Sequence, residues 1–404
     1  MEVLPILSAL RRNPVGAVLI VLQIALTLAI VCNALFIAEQ QVQRMARPSG
    51  VDEANIFSFY NLWGDNSSDF KSRVQTDLAT LRALPGVEDA MVTLGLPLLG
   101  GGYHFTVALN AEDVKGITET TLYPVDDHGL KTLGVHLVAG RWFTSSEVAD
   151  LDRDHENPDS AAVVVVTQAL ATRLFPNGSA LGRPIYLGKN PSTIIGIVEQ
   201  MQASNVSTAT DIAEFSVLAP FLWQGATSLY VVRAKPGQRD AVLQAAQKAL
   251  VTVSRTRVLG KVSTFEETRA DAYRPLRSMA LILGYVSVLL LLITGLGIVG
   301  LTSYWVSQRR RQIGIRRALG ARRIDILTYF HTENFLVVGV GAVIGVILAN
   351  VANSFIVDHY EMARMPQTYI AISALIVLSL GQLSVLWPSL RAANISPVMA
   401  TQAT

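Results

Sequence analysis

Four stretches of the 404-residue chain stay apolar long enough to cross a bilayer. About 20 residues rising 1.5 Å each cover a 30 Å hydrocarbon core. The stretches run over residues 15–38, 278–306, 327–351 and 369–388. Between the first two the pattern changes: across 39–277, short β-branched runs alternate with amphipathic stretches, which predicts a folded α/β domain. Asp69–Leu84 has helical spacing and stops at Pro85-Gly86. Ala161–Val166, Thr193–Val198 and Leu229–Val232 read as strands. Thr167–Phe175 reads as a short helix closed by Pro176-Asn177-Gly178, and Gln238–Ser254 puts Val242, Ala245, Ala246 and Ala249 on one helical face. Asp150–Ser160 is polar and acidic with one proline, the pattern of a surface loop. From Phe265 a helical pattern runs into the second apolar stretch, interrupted only by Pro275.

Composition agrees with lipid-facing segments: half the residues are hydrophobic and 16% are charged, against about 25% in a soluble domain. The net charge of +2 gives no reason to expect nucleic-acid binding. The placement of the arginines is more informative. Arg11 and Arg12 precede the first stretch. Arg309, Arg310, Arg311, Arg316, Arg317, Arg322 and Arg323 follow the second, in a window without an acid, and Arg391 follows the fourth. Arginine-rich flanks remain cytoplasmic. The expected topology therefore has both termini inside, an amphipathic segment at 1–14, a cytoplasmic segment at 307–326, a short outer loop at 352–368 and a cytoplasmic tail at 389–404. The first stretch reads as a retained anchor, because about 24 apolar residues exceed the 7–15 of a signal peptide and no small-x-small site follows. Cys32 lies inside that stretch after Val31, which does not suit a lipid-attachment site; a lone cysteine forms no intrachain disulfide.

Motifs for chemistry are scarce. No G-x-x-x-x-G-K-[ST] occurs, Gly188-Lys189-Asn190 being the nearest fragment, so no cofactor and no catalysis are expected of this chain itself. The six histidines show no metal-ligand spacing. Asp126, Asp127 and His128 are adjacent and on a strand would point apart. The apolar stretches carry Gln23, Thr27, Asn33, Ser287, Thr294, Thr302 and Ser303 but no acid or base at mid-membrane, which argues against an ion relay or channel. Gly341 with Gly345, and Gly297 with Gly300, are small residues at spacings that let helices pack closely.

The most specific feature is the run Arg309-Arg310-Arg311-Gln312-Ile313-Gly314-Ile315-Arg316-Arg317-Ala318-Leu319-Gly320-Ala321. A topology signal needs positive charge only. A docking helix also needs an apolar ridge, and Ile315, Ala318 and Leu319 share one helical face. The run closely resembles the cytoplasmic R-E-I-G-I-R-R-A-L-G-A signature of the FtsX-like, or MacB-like, ABC transporter permeases, with Gln312 in place of the usual Glu. Gly140-Arg141-Trp142-Phe143 is similar to the family's G-R-x-F turn. Val163–Tyr186 resembles its strand–helix–turn element, and Glu333 stands where the family has an acid at the start of the third span. Arg391–Ala400 resembles its C-terminal tail, where Ser396 suits an N-cap and Pro397 a first helical residue.

The resemblance implies a membrane α-helical protein with four transmembrane helices and a large extracytoplasmic α/β domain, the MacB-like periplasmic core, between helices 1 and 2. It implies a type VII ABC, or mechanotransmission, permease in the bacterial inner membrane. The implied ATPase-coupling residues are Arg311, Ile313, Gly314, Ile315, Arg316, Arg317, Ala318, Leu319, Gly320, Ala321 and Arg323. ATP and Mg2+ would belong to a separate cytoplasmic ATPase. A second permease subunit, identical or paralogous, would sit alongside, and a periplasmic adaptor and outer-membrane channel are further candidate partners. Efflux from the periplasm is the leading expectation; extraction of lipoproteins or lipids, and signalling to a periplasmic partner without transport, are the alternatives. The topology is tested with cysteines placed singly at Ser67, Asp152, Arg310 and Ala400 in a Cys32→Ser background. An impermeant thiol reagent should label only the first two in intact cells, and labelling at 310 would overturn the arrangement.

Overall fold

The computed structural model describes residues 14–64, 69–113, 115–152, 161–206, 212–360 and 364–394. Most of the expected 1–14 segment, the Ser396–Pro397 cap and positions 67 and 400 lie outside those residues. In chain order the elements begin with α1 (Pro14–Met45), β1 (Ile56–Trp63), α2 (Phe70–Arg82), β2 (Val87–Thr93), β3 (Tyr103–Val107), β4 (Thr118–Val125), α3 (Gly129–Leu133), β5 (Leu137–Gly140) and β6 (Ala149–Asp152). Next come β7 (Val163–Thr167), α4 (Gln168–Leu174), β8 (Pro184–Tyr186), β9 (Pro191–Val198), β10 (Ser216–Gln224), β11 (Thr227–Ala234), α5 (Arg239–Val253), β12 (Arg257–Leu259) and β13 (Ser263–Thr264). The last four are helices: α6 (Phe265–Gln308), α7 (Arg310–Ala318), α8 (Arg323–Tyr360) and α9 (Gln367–Ala393). The chain divides into two compact units. One is Ala46–Pro275; the other is Met1–Met45 with Leu276–Thr404.

The α/β unit holds two sheets among its described residues. The first, five-stranded, has the order β12-β1-β11-β2 with β13 also on β1, and its pairings are antiparallel. Phe57 and Phe59 of β1 and Tyr230 and Val232 of β11 share a core with Val74, Leu78 and Leu81 of α2 and Val242, Ala246 and Leu250 of α5. The period-2 and period-3.6 apolar positions of the sequence thus meet in one interior. The second sheet, eight-stranded, has the order β3-β4-β10-β7-β9-β5, with β6 on β10 and β8 on β9. Helix α2 begins where Asp69 accepts from the Ser72 amide (3.3 Å) and ends before Pro85.

Three polar clusters hold this unit. Asp77 of α2 receives Arg257 of β12 through two bonds of 2.8 and 2.9 Å and the Tyr230 hydroxyl at 2.7 Å. Both charged side chains are fully buried. Burial and the neighbouring carboxylate push the Tyr230 phenol well above its usual range. In the Gly140–Phe143 turn, Gly140 (φ 78°) has a Cβ-equivalent position only 2.2 Å from the Ile195 carbonyl, so no side chain fits there. Arg141 forks onto Glu147 (2.6 and 2.8 Å), which also accepts from the Thr144 amide (2.9 Å), holding its carboxyl down at about 2. Phe143 is buried. Asp126 and His128 lie past the end of β4 rather than on a strand. Asp126 takes Arg82 (2.9 Å) and His128 takes Asp89 (2.9 Å), and burial pushes Asp126 up despite Arg82.

Two sequence expectations about element boundaries need correction, one here and one in the helical unit. The 150–160 segment is not wholly loop: β6 pairs parallel with β10, because Leu151, at 1% exposure, is drawn into the core; residues 153–160 lie outside those described. The segment 352–368, expected as an outer loop, is helical at both ends, since α9 begins at Gln367. Helix α8 continues to Tyr360, and its buried Asn353 accepts from the Met365 amide (3.1 Å), so a polar residue there does not end the helix.

In the helical unit, α1, α6, α8 and α9 contain the four expected spans. Several of their polar side chains find partners on other helices. Thr27 and Thr294 hydroxyls lie 2.8 Å apart, Gln23 donates to the Ile293 carbonyl (3.2 Å), Asn33 to Ala349 (3.2 Å) and Asn334 to Gly381 (2.9 Å). A membrane interior offers no water to do this instead. Cβ atoms built on Gly341 and Gly345 would fall 2.9 Å from the Ile24 and Leu28 Cβ atoms of α1, and one on Gly297 would fall 2.8 Å from Gln23 Oε1. Gly300 differs from the expectation of close packing: nothing lies within 4 Å of its Cβ position. Gly341→Val should therefore lower stability by about 1–3 kcal/mol through overpacking, whereas Gly300→Val should be nearly silent. Thermal unfolding of the two variants in detergent checks the contrast.

Candidate functional site

The arginine run folds as the end of α6, the nine-residue α7 and the turn into α8. Arg309 (φ −97°, ψ 11°) marks the break between α6 and α7. The end of α7 is built from the Leu319-Gly320-Ala321 order. Gly320 takes φ +99°, its amide donates to the Arg317 carbonyl (3.1 Å), and the Ala321 amide donates to Arg316 (3.1 Å). These are the two bonds of a Schellman cap, for which glycine is suited at the left-handed position. Helix α8 then opens with the Arg322 amide donating to Asp325 (2.8 Å), an acid in the first turn facing the helix N-terminus.

One side of α7 is fastened to its neighbours. Ile313 and Gly314 are buried, and Ile313 joins a cluster with Ile326 and Phe330 of α8 and Ala392 and Ala393 of α9. Arg309 donates to both carboxylate oxygens of Glu333 (2.9 and 3.0 Å), and Glu333 is 1% exposed. The Arg316 guanidinium lies 5.3 Å over the Tyr329 ring. Arg317 donates to the Ala393 carbonyl at 2.7 Å. Removing Arg309 would strand the buried Glu333 carboxylate, at a cost of about 3–5 kcal/mol.

The opposite side is open. Ile315 (48%), Leu319 (83%) and Ile324 (61%) are exposed apolar side chains, with exposed Ala318 between the first two, and Arg310, Arg311, Arg322 and Arg323 are exposed around them. Ile313 and Gly314 of the sequence-derived set therefore anchor the helix, and Gly320 and Ala321 cap it. Ile315, Ala318 and Leu319 form the free ridge. Arg316 is exposed beside the ridge with its guanidinium over Tyr329, and the half-buried Arg317 reaches the Ala393 carbonyl. Arg323 is the first residue of α8 and not part of α7. The sequence reading counted Arg309 only as positive charge and missed it as the partner of Glu333. The signal was available: an acid inside an apolar segment needs a partner.

A family model described as MacB-like periplasmic core domain matches residues 17–250. Another, described as FtsX-like permease C-terminal, matches residues 284–397. The chain belongs to the MacB-like, FtsX-like family of ABC transporter permeases. It is an inner-membrane, multi-pass member, with the MacB-like periplasmic core between its first and second membrane helices. Among relatives, the macrolide export ATP-binding/permease protein MacB of Chromobacterium violaceum is 27% identical over 413 residues, covering 97% of this chain and 59% of the relative. The probable syringafactin export ATP-binding/permease protein SyfD of Pseudomonas syringae pv. tomato is 25% identical over 374 residues, covering 90% and 52%. The chain thus spans between half and three-fifths of the length of these curated relatives, corresponding to their permease part. The crystal structure of the periplasmic region of MacB from Actinobacillus actinomycetemcomitans aligns with a TM-score of 0.33 at 15% identity, covering 55% of this chain and 94% of that one.

Proposed function

We propose that this permease couples ATP hydrolysis by a cytoplasmic ATPase to movement of its periplasmic domain, and that it exports a substrate from the periplasm. The observation that carries the reading is the two-sided α7. Its inner side is tied to α8 and α9, while its outer side offers Ile315, Ala318 and Leu319 among free arginines. An apolar ridge rimmed by cations suits a partner cleft with an apolar floor and an acidic edge. ATP and Mg2+ are held by that ATPase. Both termini and α7 face the cytoplasm, in keeping with the arginine-rich flanks. Two permease subunits stand side by side in the membrane, and a periplasmic adaptor and outer-membrane channel carry the cargo onward. The names of the relatives, macrolide export and syringafactin export, support export over lipoprotein extraction or signalling.

Leu319→Asp tests the docking surface, because Leu319 is exposed and its loss does not disturb the core. The variant should insert normally but weaken association with the ATPase by about 2 kcal/mol or more, the scale of a buried interface anchor. Copurification of the ATPase and its stimulated turnover, measured in membranes with matched expression, report this. Full retention of both would reduce the run to a topology signal.

A further inference from the structure

We infer that Arg309 and Glu333 are positioning residues that carry the displacement of α7 into the third membrane helix, distinct from the surface that docks the ATPase. The inference rests on the docking reading above. Glu333 sits on α8 at 1% exposure and is held by Arg309, the residue at the break between α6 and α7. The break alone would let α7 swing on the end of α6. Two arginines prevent this. Arg309 grips Glu333 at the start of α7, and Arg316, two helical turns further on, lies over Tyr329, one turn from Glu333 on the same helix. Arg309 also reaches the Tyr329 hydroxyl at 3.4 Å. Helix α7 is thus clamped along α8 at two points, and its far end is tied to the last residue of α9 by Arg317.

The pairing is suited to transmission. Both Glu333 oxygens accept from the single Arg309 Nη1, a charge-assisted contact that holds the carboxylate against the start of α7. Such a pair resists separation once buried, so a load applied to α7 moves α8 with it. The exposed ridge at Ile315 and Leu319 lies on the residues that this clamp leaves free. Load enters through the ridge and leaves through the clamp. Neither Arg309 nor Glu333 is part of the ridge, so their replacement separates transmission from docking.

The test compares the wild-type chain with Arg309→Gln, Glu333→Gln, the double Arg309→Gln/Glu333→Gln and Arg309→Lys. Each is purified from its own host membranes with the ATPase that accompanies the wild type. Three quantities are read: the thermal transition of the permease, the amount of copurified ATPase, and turnover of Mg-ATP stimulated by the permease. The double variant leaves no stranded charge and should fold and copurify within about twofold of wild type, while stimulated turnover falls by about tenfold or more. Arg309→Lys, which keeps the charge and loses the planar guanidinium that also reaches Tyr329, should fall between. A purely structural pair predicts the opposite: the double variant recovers turnover together with stability. Full turnover in the double variant overturns the inference. So does a parallel fall of copurification and turnover, which would place the pair in docking, and so does failure of every variant to fold. If the wild type itself neither brings down nor stimulates an ATPase, the docking reading is what fails, and the inference falls with it.

Discussion

The carboxylate of Glu333 is buried near the start of the third membrane helix, and the two bonds it accepts from Arg309 Nη1 are what make that position tolerable. A buried acid without a partner would destabilise α8 by several kcal/mol, of the order of about 3–5 for a broken buried pair. That requirement constrains much of this end of the helical unit. Arg309 must stand at the junction of α6 and α7, so α7 turns where it does. Ile313 can then reach Ile326, Phe330 and Ala393, and Arg317 can reach the end of α9. The glycine cap at Gly320 closes the helix after nine residues, and Arg323 begins the return into the membrane. With one side of α7 committed in this way, Ile315 and Leu319 are left exposed among the described residues.

The same logic appears elsewhere in the molecule in different chemistry. The spans have no water to satisfy their polar side chains, and Gln23, Thr27, Asn33, Asn334 and Asn353 each meet a carbonyl, hydroxyl or amide on a neighbouring segment. The glycines at 341 and 345 bring α8 against α1 closely enough for such bonds to form. In the α/β unit, Asp77, Arg257 and Tyr230 form a fully buried network beneath the five-stranded sheet. An all-apolar core of the same shape would often be as stable. The network's geometry nevertheless ties the short strand β12 to helix α2 in one register, a link that an apolar contact would specify less tightly.

Charge and hydropathy along the chain determined the four membrane helices, the large domain between the first two and the expected sidedness. These follow from local rules: the length needed to cross hydrocarbon, the period of apolar positions and the bias of arginine. The motif order around Ile313–Ala321 was enough to expect a docking helix and to place the family. The family match over 17–250 and 284–397 agrees with the family reading. The helical reading of Asp69–Leu84 and Gln238–Ser254 also came close, because their caps and apolar faces are local features.

Only the tertiary structure decided which residues of the arginine run are free and which are spent. Seven arginines are equivalent as charges in the sequence, but Arg309, Arg316 and Arg317 are engaged by Glu333, Tyr329 and Ala393, residues 24, 13 and 76 positions away. No local pattern encodes such pairings. The strand at 149–152 was hidden for the same reason, since one buried leucine among acids becomes a strand only when β10 lies beside it. Gly297 and Gly300 look alike in sequence; Gln23 lies against the first and nothing against the second. Local composition sets what each segment is able to form, and long-range packing sets which of its side chains remain available for a partner.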